Sequence, residues 1–364
     1  MPVVCALPEG GINLCRFSVQ AYLTAIGVYG LGDKAMHSNF MRKTGFSSVL
    51  AAAAMAGLCL AGTAQAQTVK VTPLGSHDGE FCLFDRAMLL EDPDGTRILY
   101  DAGRTVAGAD DARLGKVDAL LVSHMHGDHV GDRHIPGTGT GACNKPDVST
   151  AVLPDTNTVN IALAKDAAIV TGSEMPKFFA GKLKSLGGDP KKSQLVRFGA
   201  SRKIGGVTIT TVPAVHSNGI AGGMIGGTLG DLLNGAGLTA YAGPPTGYVL
   251  TFSNGLVAYL SGDTGVTAEQ KTVVGDQYGA ELVVMNIGDT YTTGPTEAAF
   301  VVNDLIKPAS VIPSHANEQA TEGGAVVAGS RTDQFMKAVT VPAHLPLSGR
   351  TMEFDGDGAC VTGC

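Results

Sequence analysis

Short apolar runs recur along the chain from residue 69 onward, and most of them end at a polar cluster. Their length and their content of β-branched residues are typical of buried strands. The five clearest runs are "VDALLVSHMH" (117–126), "VTITTVPAVH" (207–216), "LVAYLSGD" (256–263), "ELVVMNIGD" (281–289) and "ASVIPSH" (309–315). Each ends in His or Asp, so the pattern predicts strands that deliver such side chains to one polar rim.

Helix-like stretches lie between several of these runs, at residues 174–186, 267–278, 295–306 and 331–339. Strands that alternate with helices indicate an α/β protein, in which reactive groups collect beyond one end of the strands. We expect one domain of this class over residues 67–364, since a single core can grow to about 250–300 residues.

Residues 41–66 have the pattern of a secretory signal peptide. Arg42 and Lys43 precede an apolar run at 49–60, and a small-residue "AQA" motif follows at 64–66. The apolar run is shorter than the roughly 20 residues that span a bilayer. We predict cleavage before Gln67, export to the periplasm or medium, and no membrane-spanning segment in the mature chain. Residues 1–40 are interpreted as a mis-assigned extension upstream of the true start.

An exported chain passes through an oxidising compartment, so its cysteines are interpreted as disulfides. Four cysteines follow the signal, and they allow three pairings. We favour Cys82–Cys143 with Cys360–Cys364. The spacing of the second pair would also suit a metal, but the sequence offers no second cluster to complete such a site.

The charge balance argues against a polyanionic partner. The chain carries 26 basic and 33 acidic residues, a formal charge of −7, and it has no basic stripe. Nucleic acid is therefore disfavoured, and a small-molecule substrate is expected. The oligomeric state has no signal in the sequence.

One segment, residues 218–245, breaks the alternation because it is rich in glycine and apolar residues. One interpretation is a flexible surface excursion. The other is a lid that covers an apolar part of a substrate with Met224, Ile225, Leu229, Leu232 and Leu233.

The densest chemistry lies in "SHMHGDHVGD" (123–132), with three histidines and two aspartates. In an extended segment His124 and His126 point to the same side, and neutral imidazole is a good ligand for a cation such as zinc. Asp128 and His129 follow a turn at Gly127, which is easiest without a β-carbon, so they can face a second position.

Further ligands must come from the other strand ends, which offer His216, Asp263 and His315. The resulting prediction is a site for two metals. One is held by His124, His126 and His216; the other is held by Asp128, His129 and His315; and Asp263 bridges the two. This set uses five of the nine histidines in the chain. The alternative, that these histidines are ordinary core or surface residues, is our interpretation for the isolated His77, His134 and His344.

The spacing His124-Met125-His126-Gly127-Asp128-His129, followed by His216, Asp263 and His315, resembles the metallo-β-lactamase superfamily over residues 69–354. The resemblance implies an αββα four-layer sandwich with a dinuclear metal site at one edge of the two sheets. It also implies that Asp101, in "LYDAGR" (99–104), orients the site from behind the ligands. "NIGDTYTTGPTEAA" (286–299) and "VIPSHAN" (311–317) are similar to the ascorbate-phosphate-lactonase-like branch.

Two differences between this ligand set and those of other groups in the superfamily narrow the reactions that the site could catalyse. True metallo-β-lactamases commonly have cysteine in place of Asp263, and di-iron oxygen-reducing relatives carry glutamate in place of His126. The ligand set therefore favours a hydrolase with two divalent cations, zinc first, with manganese or iron as alternatives. A hydroxide held between the metals and oriented by Asp128 would attack an ester, lactone or related bond.

Several alternatives stay open on the sequence alone. They are a phosphodiesterase of the same fold, an iron-dependent sulfur dioxygenase, and a metal-binding protein without turnover. In a lactonase a tyrosine could lie over the metals, and Tyr241, Tyr248 and Tyr291 are the candidates. Thr290, Thr292 and Thr293 could bind a polar head group, but capping of the helix near Pro295 is the interpretation we favour.

Overall fold

The computed structural model describes residues 67–364, and two mixed β-sheets form its centre. In chain order the strands of the two sheets are β1 (Val69–Pro73), β2 (Met88–Glu91), β3 (Arg97–Tyr100), β4 (Ala119–Leu121), β5 (Ala168–Thr171), β6 (Ser193–Leu195), β7 (Ser201–Ile204), β8 (Val207–Pro213), β9 (Thr246–Thr251), β10 (Val257–Leu260), β11 (Leu282–Asn286), β12 (Ser310–Ser314), β13 (Met352–Phe354) and β14 (Cys360–Thr362). The first sheet has the order β6-β5-β4-β3-β2-β1-β13-β14, and the second has the order β7-β8-β9-β10-β11-β12.

Helical segments cover the outer faces of both sheets. They are α1 (Gly127–Val130), α2 (Asn157–Ala164), α3 (Met175–Ser185), α4 (Gly222–Ile225), α5 (Gly227–Gly235), α6 (Pro295–Phe300) and α7 (Arg331–Ala338), with π-helical segments Gln270–Gly275 and Val301–Ile306 and a 3₁₀ turn Pro190–Lys192. The four predicted helical stretches all contain helix. In the stretch 267–278 most of the helix is π-helical, and in the stretch 295–306 the second half is π-helical. Two-residue strands pair Arg133–His134 with Thr150–Ala151, Gly141–Ala142 with Lys145–Pro146, Gly219–Ile220 with Ala240–Tyr241, and Thr321–Glu322 with Ala325–Val326.

Three separate apolar layers establish the four-layer order. Alternate residues of a strand point to opposite faces, so in β3 Ile98 faces the other sheet whereas Leu99 faces the helices. A third cluster packs the outer face of the second sheet against helical residues such as Val302 and Phe335. Each large apolar side chain buried in these layers contributes about 1.5–3 kcal/mol. The predicted αββα sandwich is confirmed.

Strand direction explains why the polar groups meet. Strands β3, β4 and β5 run parallel in the first sheet, and β10, β11 and β12 run parallel in the second. Strand β8 has the same direction as β10, because both are antiparallel to β9. All five runs predicted from the sequence contain a strand of these sheets, and their carboxyl ends lie at one edge of the sandwich, where α/β folds place their sites.

The glycine-rich residues 218–245 are folded. They form a small hairpin that encloses α4 and α5. Met224 is buried in the layer between the first sheet and its helices, and Ile225 packs against that layer, so neither can serve as a lid residue. Leu229 and Leu232 are exposed.

The structure contains the favoured disulfides, Cys82–Cys143 and Cys360–Cys364. Among the described residues no helix is both long and apolar enough to cross a bilayer. The predicted extension (1–40) and signal peptide (41–66) lie outside the described residues, so both stay predictions.

Candidate metal centre

The seven predicted ligands converge at one edge of the sandwich, although they come from four separate places in the chain: residues 124–129, 216, 263 and 315. Two groups form, each with ligand atoms within 4.8 Å of one another: His124, His126, His216 and Asp263 in one, and Asp128, His129 and His315 in the other. The structure thus brings together the residues that the sequence assigned to each metal, with Asp263 grouped with His124, His126 and His216.

The carboxylate of Asp263 lies between the two groups. Its Oδ2 atom is 3.1 Å from Nε2 of His315 and 3.3 Å from Nε2 of His129. The same oxygen is 3.7 Å from Nε2 of both His124 and His216. One oxygen surrounded by imidazole nitrogens from both groups is the arrangement that a bridging carboxylate requires.

The donor atoms have the properties of metal ligands. Among the described residues, Nε2 of His124, Nε2 of His129, Nε2 of His315 and Oδ1 of Asp263 are buried without a hydrogen-bond partner. Such atoms are costly to bury unless something satisfies them. Nε2 of His216 lies 3.3 Å from Nδ1 of His126, close to the roughly 3.3 Å between two nitrogens bound about 2.0–2.1 Å from a tetrahedral zinc. The residues therefore fit divalent cations.

Burial keeps three of the imidazoles neutral, which is the form that binds a metal. Burial, with the neighbouring His129, holds the pKa of His124 well below its usual value. Burial likewise lowers the pKa of His126 and of His216. These three rings are therefore unprotonated at neutral pH and offer a lone pair.

The two carboxylates are held in the ionised form. Burial alone would raise the pKa of Asp263, but the surrounding His315 and His129 hold that pKa well below its usual range. The same competition, with His129, His315 and Arg86 against burial, lowers the pKa of Asp128. Both groups are therefore acceptors only.

Asp101 fixes the tautomers of two predicted ligands from behind. It accepts hydrogen bonds from Nδ1 of His129 at 2.8 Å, and from the backbone N and Oγ of Ser123 at 2.8 and 2.7 Å. Because the Ser123 hydroxyl donates to Asp101, it can accept from Nδ1 of His124, 3.0 Å away. Both imidazoles thus carry a proton on Nδ1, which leaves Nε2 of each ring as the atom that faces the site and can bind a metal. The sequence pattern contained no signal for Ser123.

The turn that carries Asp128 and His129 depends on a close approach at Gly127. A β-carbon at Gly127 would lie 2.5 Å from the carboxylate carbon of Asp132. Asp132 in turn accepts two hydrogen bonds from Arg104, at 2.8 and 3.0 Å. Glycine is needed here because the carboxylate approaches closely, whereas the sequence argument invoked a tight reversal of the backbone.

Arg86 is a component of the site that the sequence did not indicate. Its side chain is 2% exposed, its Nε lies 3.3 Å from Oδ2 of Asp128, and its Nη2 donates to Oδ1 of Asn317 at 2.6 Å. Asn317 follows His315 by two residues, so one guanidinium links the two segments that supply Asp128 and His315.

Asn218 has a similar role in the other group. It is buried two residues after His216, and its Oδ1 accepts a hydrogen bond from the backbone N of Met125 at 2.8 Å. Met125 lies between His124 and His126, so this bond holds the extended segment against the His216 loop.

The structure separates the three candidate tyrosines. Tyr248 is fully buried, and its hydroxyl donates to the backbone oxygens of Val122 and Val170, so it is a core residue. Tyr241 and Tyr291 are 75% and 70% exposed. Only Tyr241 lines a cavity together with His216.

The interpretation that a threonine caps the helix near Pro295 is wrong. The residue before α6 is Gly294, and no side chain caps the helix. The Thr292 hydroxyl accepts a hydrogen bond from Gly288 N, and the Thr293 hydroxyl donates to the backbone of Thr264. The first bond satisfies a backbone group within the loop after β11, and the second ties that loop to the loop after β10.

An open cavity of about 590 Å³ lies beside the metal ligands; we call it the His216 groove. Its lining includes Val215, His216, Thr239, Tyr241, Pro244 and Pro245. A second cavity of about 440 Å³ shares Tyr241 and Pro244 with it and adds Phe198 and Arg197. Apolar surface thus extends from a predicted ligand to a charged end, where Arg197 lies 3.9 Å from Glu174 of the same lining.

Comparisons with known proteins agree with this geometry. A model described as "Beta-lactamase superfamily domain" matches residues 96–316, a range that includes all seven predicted ligands. A UPF0173 metal-dependent hydrolase of Cupriavidus necator is 31% identical over 277 residues, which is 72% of this chain and 83% of that protein. Another, from Polynucleobacter asymbioticus, is 26% identical over 327 residues, 87% of this chain and 99% of that protein.

Among solved structures, the metallo hydrolase Igni18 of Ignicoccus hospitalis has a TM-score of 0.51 and 21% identity, covering 79% of this chain and 99% of that one. This likeness establishes the fold alone. Together with the family match, it shows that the chain belongs to the metallo-β-lactamase superfamily, among its metal-dependent hydrolases. The finer assignment to the ascorbate-phosphate-lactonase-like branch stays a prediction.

Proposed function

We propose that this protein is an exported hydrolase that uses two divalent cations, zinc first, to cleave an ester, lactone or related bond. The substrate is a small molecule with an apolar portion. The observation that carries the proposal is the position of Asp263, whose Oδ2 lies within 3.1–3.7 Å of four imidazole nitrogens from both ligand groups.

The seven predicted ligands would form one set for each cation, with one residue shared. His124, His126 and His216 would hold one, Asp128, His129 and His315 would hold the other, and Asp263 would bridge them. When bound, the cations would lower the pKa of a coordinated water to about 7 and so supply the nucleophile.

Asp128 is the group that we assign to orienting the attacking water. Its side chain is 23% exposed, whereas that of Asp263 is 4% exposed, so Asp128 is the carboxylate that faces incoming solvent. Because its pKa is low, it accepts a hydrogen bond from water on a carboxylate oxygen. Arg86 holds that carboxylate in place.

The His216 groove supports a substrate with an apolar arm. Val215 and Tyr241 are 63% and 75% exposed along it, and the two prolines supply further apolar surface. An acyl chain placed there would have its carbonyl near His216. About 0.8 kcal/mol per buried methylene is available from such a contact.

The test is a substrate panel run together with metal analysis. The 364-residue chain is expressed in an export-competent bacterial host, the N-terminus of the purified protein is sequenced, and metal content is measured. Lactones and esters of increasing acyl length, and phosphodiesters, are then assayed. The proposal predicts an N-terminus at Gln67, two cations per chain, and hydrolysis that improves with acyl length.

Each alternative gives a different result. Cleavage confined to phosphodiesters would favour the phosphodiesterase. A single iron per chain with sulfur oxidation would favour the dioxygenase. Two cations with no cleavage in any class would favour a metal-binding protein. An N-terminus far from Gln67 would contradict export by the predicted signal.

A further inference from the structure

Three side chains with metal-binding chemistry lie together outside the centre described above. They are His344, Cys360 and Cys364, each of which offers a ligand atom within 4.8 Å of the others. The sequence alone gave no third metal ligand to accompany the two cysteines, because a loop and strand β13 separate His344 from Cys360. The fold supplies that ligand.

This cluster lies at the opposite end of the sandwich from the metal centre. His344 is held beside the start of β12, where its backbone N donates to Val311 O at 2.9 Å, whereas His315 follows the other end of that strand. Cys360 pairs with Phe354, and Phe354 pairs with Val69 at the end of β1 that is away from the site. The two sets of ligands are therefore separated by the length of the strands.

The positions of His344 and Cys360 are fixed by the fold. The ring of His344 lies edge-on to Phe354 with centroids 5.7 Å apart, and its Nε2 is 3.3 Å from Oγ of Ser310. Burial lowers the pKa of His344, so the ring is neutral. Cys360 packs partly against the core between the sheets. The imidazole of His344, beside the second sheet, and the sulfur of Cys360, in the first sheet, are thus in place before any ion binds.

Cys364 is the least buried of the three residues. It is exposed, and its backbone oxygen accepts a hydrogen bond from Arg350 at 3.3 Å. In the structure it is joined to Cys360 by a disulfide. Tetrahedral zinc with Zn–S bonds of about 2.3 Å separates two thiolates by about 3.8 Å, so a small movement of this terminal segment suffices after reduction.

We propose that His344, Cys360 and Cys364 form a second, redox-gated site for a soft divalent cation of the zinc class. A dithiol reductant transfers two electrons to the Cys360–Cys364 disulfide, giving two thiols and a cyclic disulfide of the reductant. The cation then binds two thiolates and one imidazole nitrogen, and it releases the two thiol protons to solvent. In the oxidised chain both sulfurs are bonded to each other and the site is closed.

The seven-ligand centre contains no cysteine, and this makes the test selective. The purified processed protein, which by the predicted cleavage begins at Gln67 and so lacks Cys5, Cys15 and Cys59, is saturated with Co²⁺ before and after treatment with dithiothreitol, and the reductant is removed without air. Thiolate-to-cobalt charge-transfer absorption is expected only after reduction, with one additional cobalt per chain. Cobalt in the seven-ligand centre cannot produce this absorption, so the result is independent of the proposed hydrolase function.

Variants assign the signal to residues. Replacing Cys360 and Cys364 together by serine should abolish the absorption, whereas the matched Cys82→Ser and Cys143→Ser double variant should keep it. His344→Ala should weaken cobalt binding about tenfold or more, since loss of an outer-shell partner alone costs about 10–100-fold. Absence of the absorption in the reduced wild type, or its survival in the Cys360/Cys364 variant, would overturn the proposal.

Discussion

The carboxylate of Asp263 follows strand β10 and has four imidazole rings around one of its oxygens. Replacing it by asparagine keeps the shape but removes the charge shared by the two ligand groups. We expect Asp263→Asn to lose both cations and turnover together. Metal analysis after dialysis against a weak chelator measures this. Retention of two cations by the variant would contradict the bridging role.

Arg86 provides a second test on a single residue. Arg86→Gln removes the cation that contacts Asp128 and links it to Asn317. We expect affinity in the group of Asp128, His129 and His315 to fall by about 10–100-fold, so that dialysis leaves about one cation per chain. Chelator titration measures the change.

The matched control for that experiment is Arg202→Gln. Arg202 is exposed on the edge strand β7, so the same chemical change there should leave metal content unaltered. Equal loss of metal in both variants would show that a general change of charge, rather than the contact with Asp128, is responsible.

At the scale of elements, the short helix α1 depends on the approach of Asp132 to Gly127. A β-carbon there would lie 2.5 Å from the carboxylate carbon, so Gly127→Ala should lower the free energy of unfolding by about 1–3 kcal/mol. Urea denaturation measures the loss. Gly137→Ala is the control, because its β-carbon would meet no atom within 4 Å; a similar loss in both variants would contradict the account.

The hairpin strand that carries Tyr241 forms one wall of the His216 groove. If that groove binds the apolar arm of a substrate, Tyr241→Ala should raise KM for long-chain esters by about fivefold, or roughly 1 kcal/mol. KM for acetyl esters should not change. An equal effect on short and long substrates would show that Tyr241 acts on something other than the arm.

The predicted metal ligands were accessible to sequence reasoning because each segment that carries them follows a locally recognisable strand. Parallel direction within the sheets then places the strand ends together, and the spacing of His124, His126, Asp128 and His129 marks the first of them. Arg86 gave no such signal. It lies in the loop before β2, 42 residues before Asp128, and the two meet only because the start of β2 lies beside the carboxyl ends of β3 and β4 in the first sheet.

Segments without periodicity were harder to interpret. In residues 218–245 the many glycines suggested either flexibility or a lid, but Met224 is buried and helices form around it. The threonines before Pro295 suggested a cap, but the Thr292 hydroxyl bonds to Gly288 within its own loop and the Thr293 hydroxyl bonds to Thr264 in the loop after β10. In both segments, contacts with residues distant in sequence determine the structure, and the local sequence does not reveal those contacts.

At the scale of the whole molecule, protons and cations compete for the site. Burial opposes a charge on His129, but Asp263, Asp128 and Asp101 raise its pKa well above the usual 6.5 in the metal-free chain. A raised folded pKa stabilises the fold below the unfolded pKa, and this contribution is lost as the pH rises through the folded value. The Tm of the metal-free chain should therefore fall with pH above about 6.5.

Metal binding should reverse that trend, because a cation takes the Nε2 lone pair and displaces the proton. Thermal melts of chelator-treated and metal-loaded protein across this pH range make the comparison. A metal-free chain whose Tm rises with pH above 6.5 would contradict the assigned protonation of His129.

The most direct test of the dinuclear centre is anomalous diffraction from crystals of the zinc-loaded protein, recorded on both sides of the zinc edge. The account predicts two peaks about 3.5–4 Å apart, one among His124, His126 and His216 and the other among Asp128, His129 and His315, with the Asp263 carboxylate between them. In crystals grown without reductant, where the Cys360–Cys364 disulfide is intact, a single peak, or peaks outside these two groups, would contradict it.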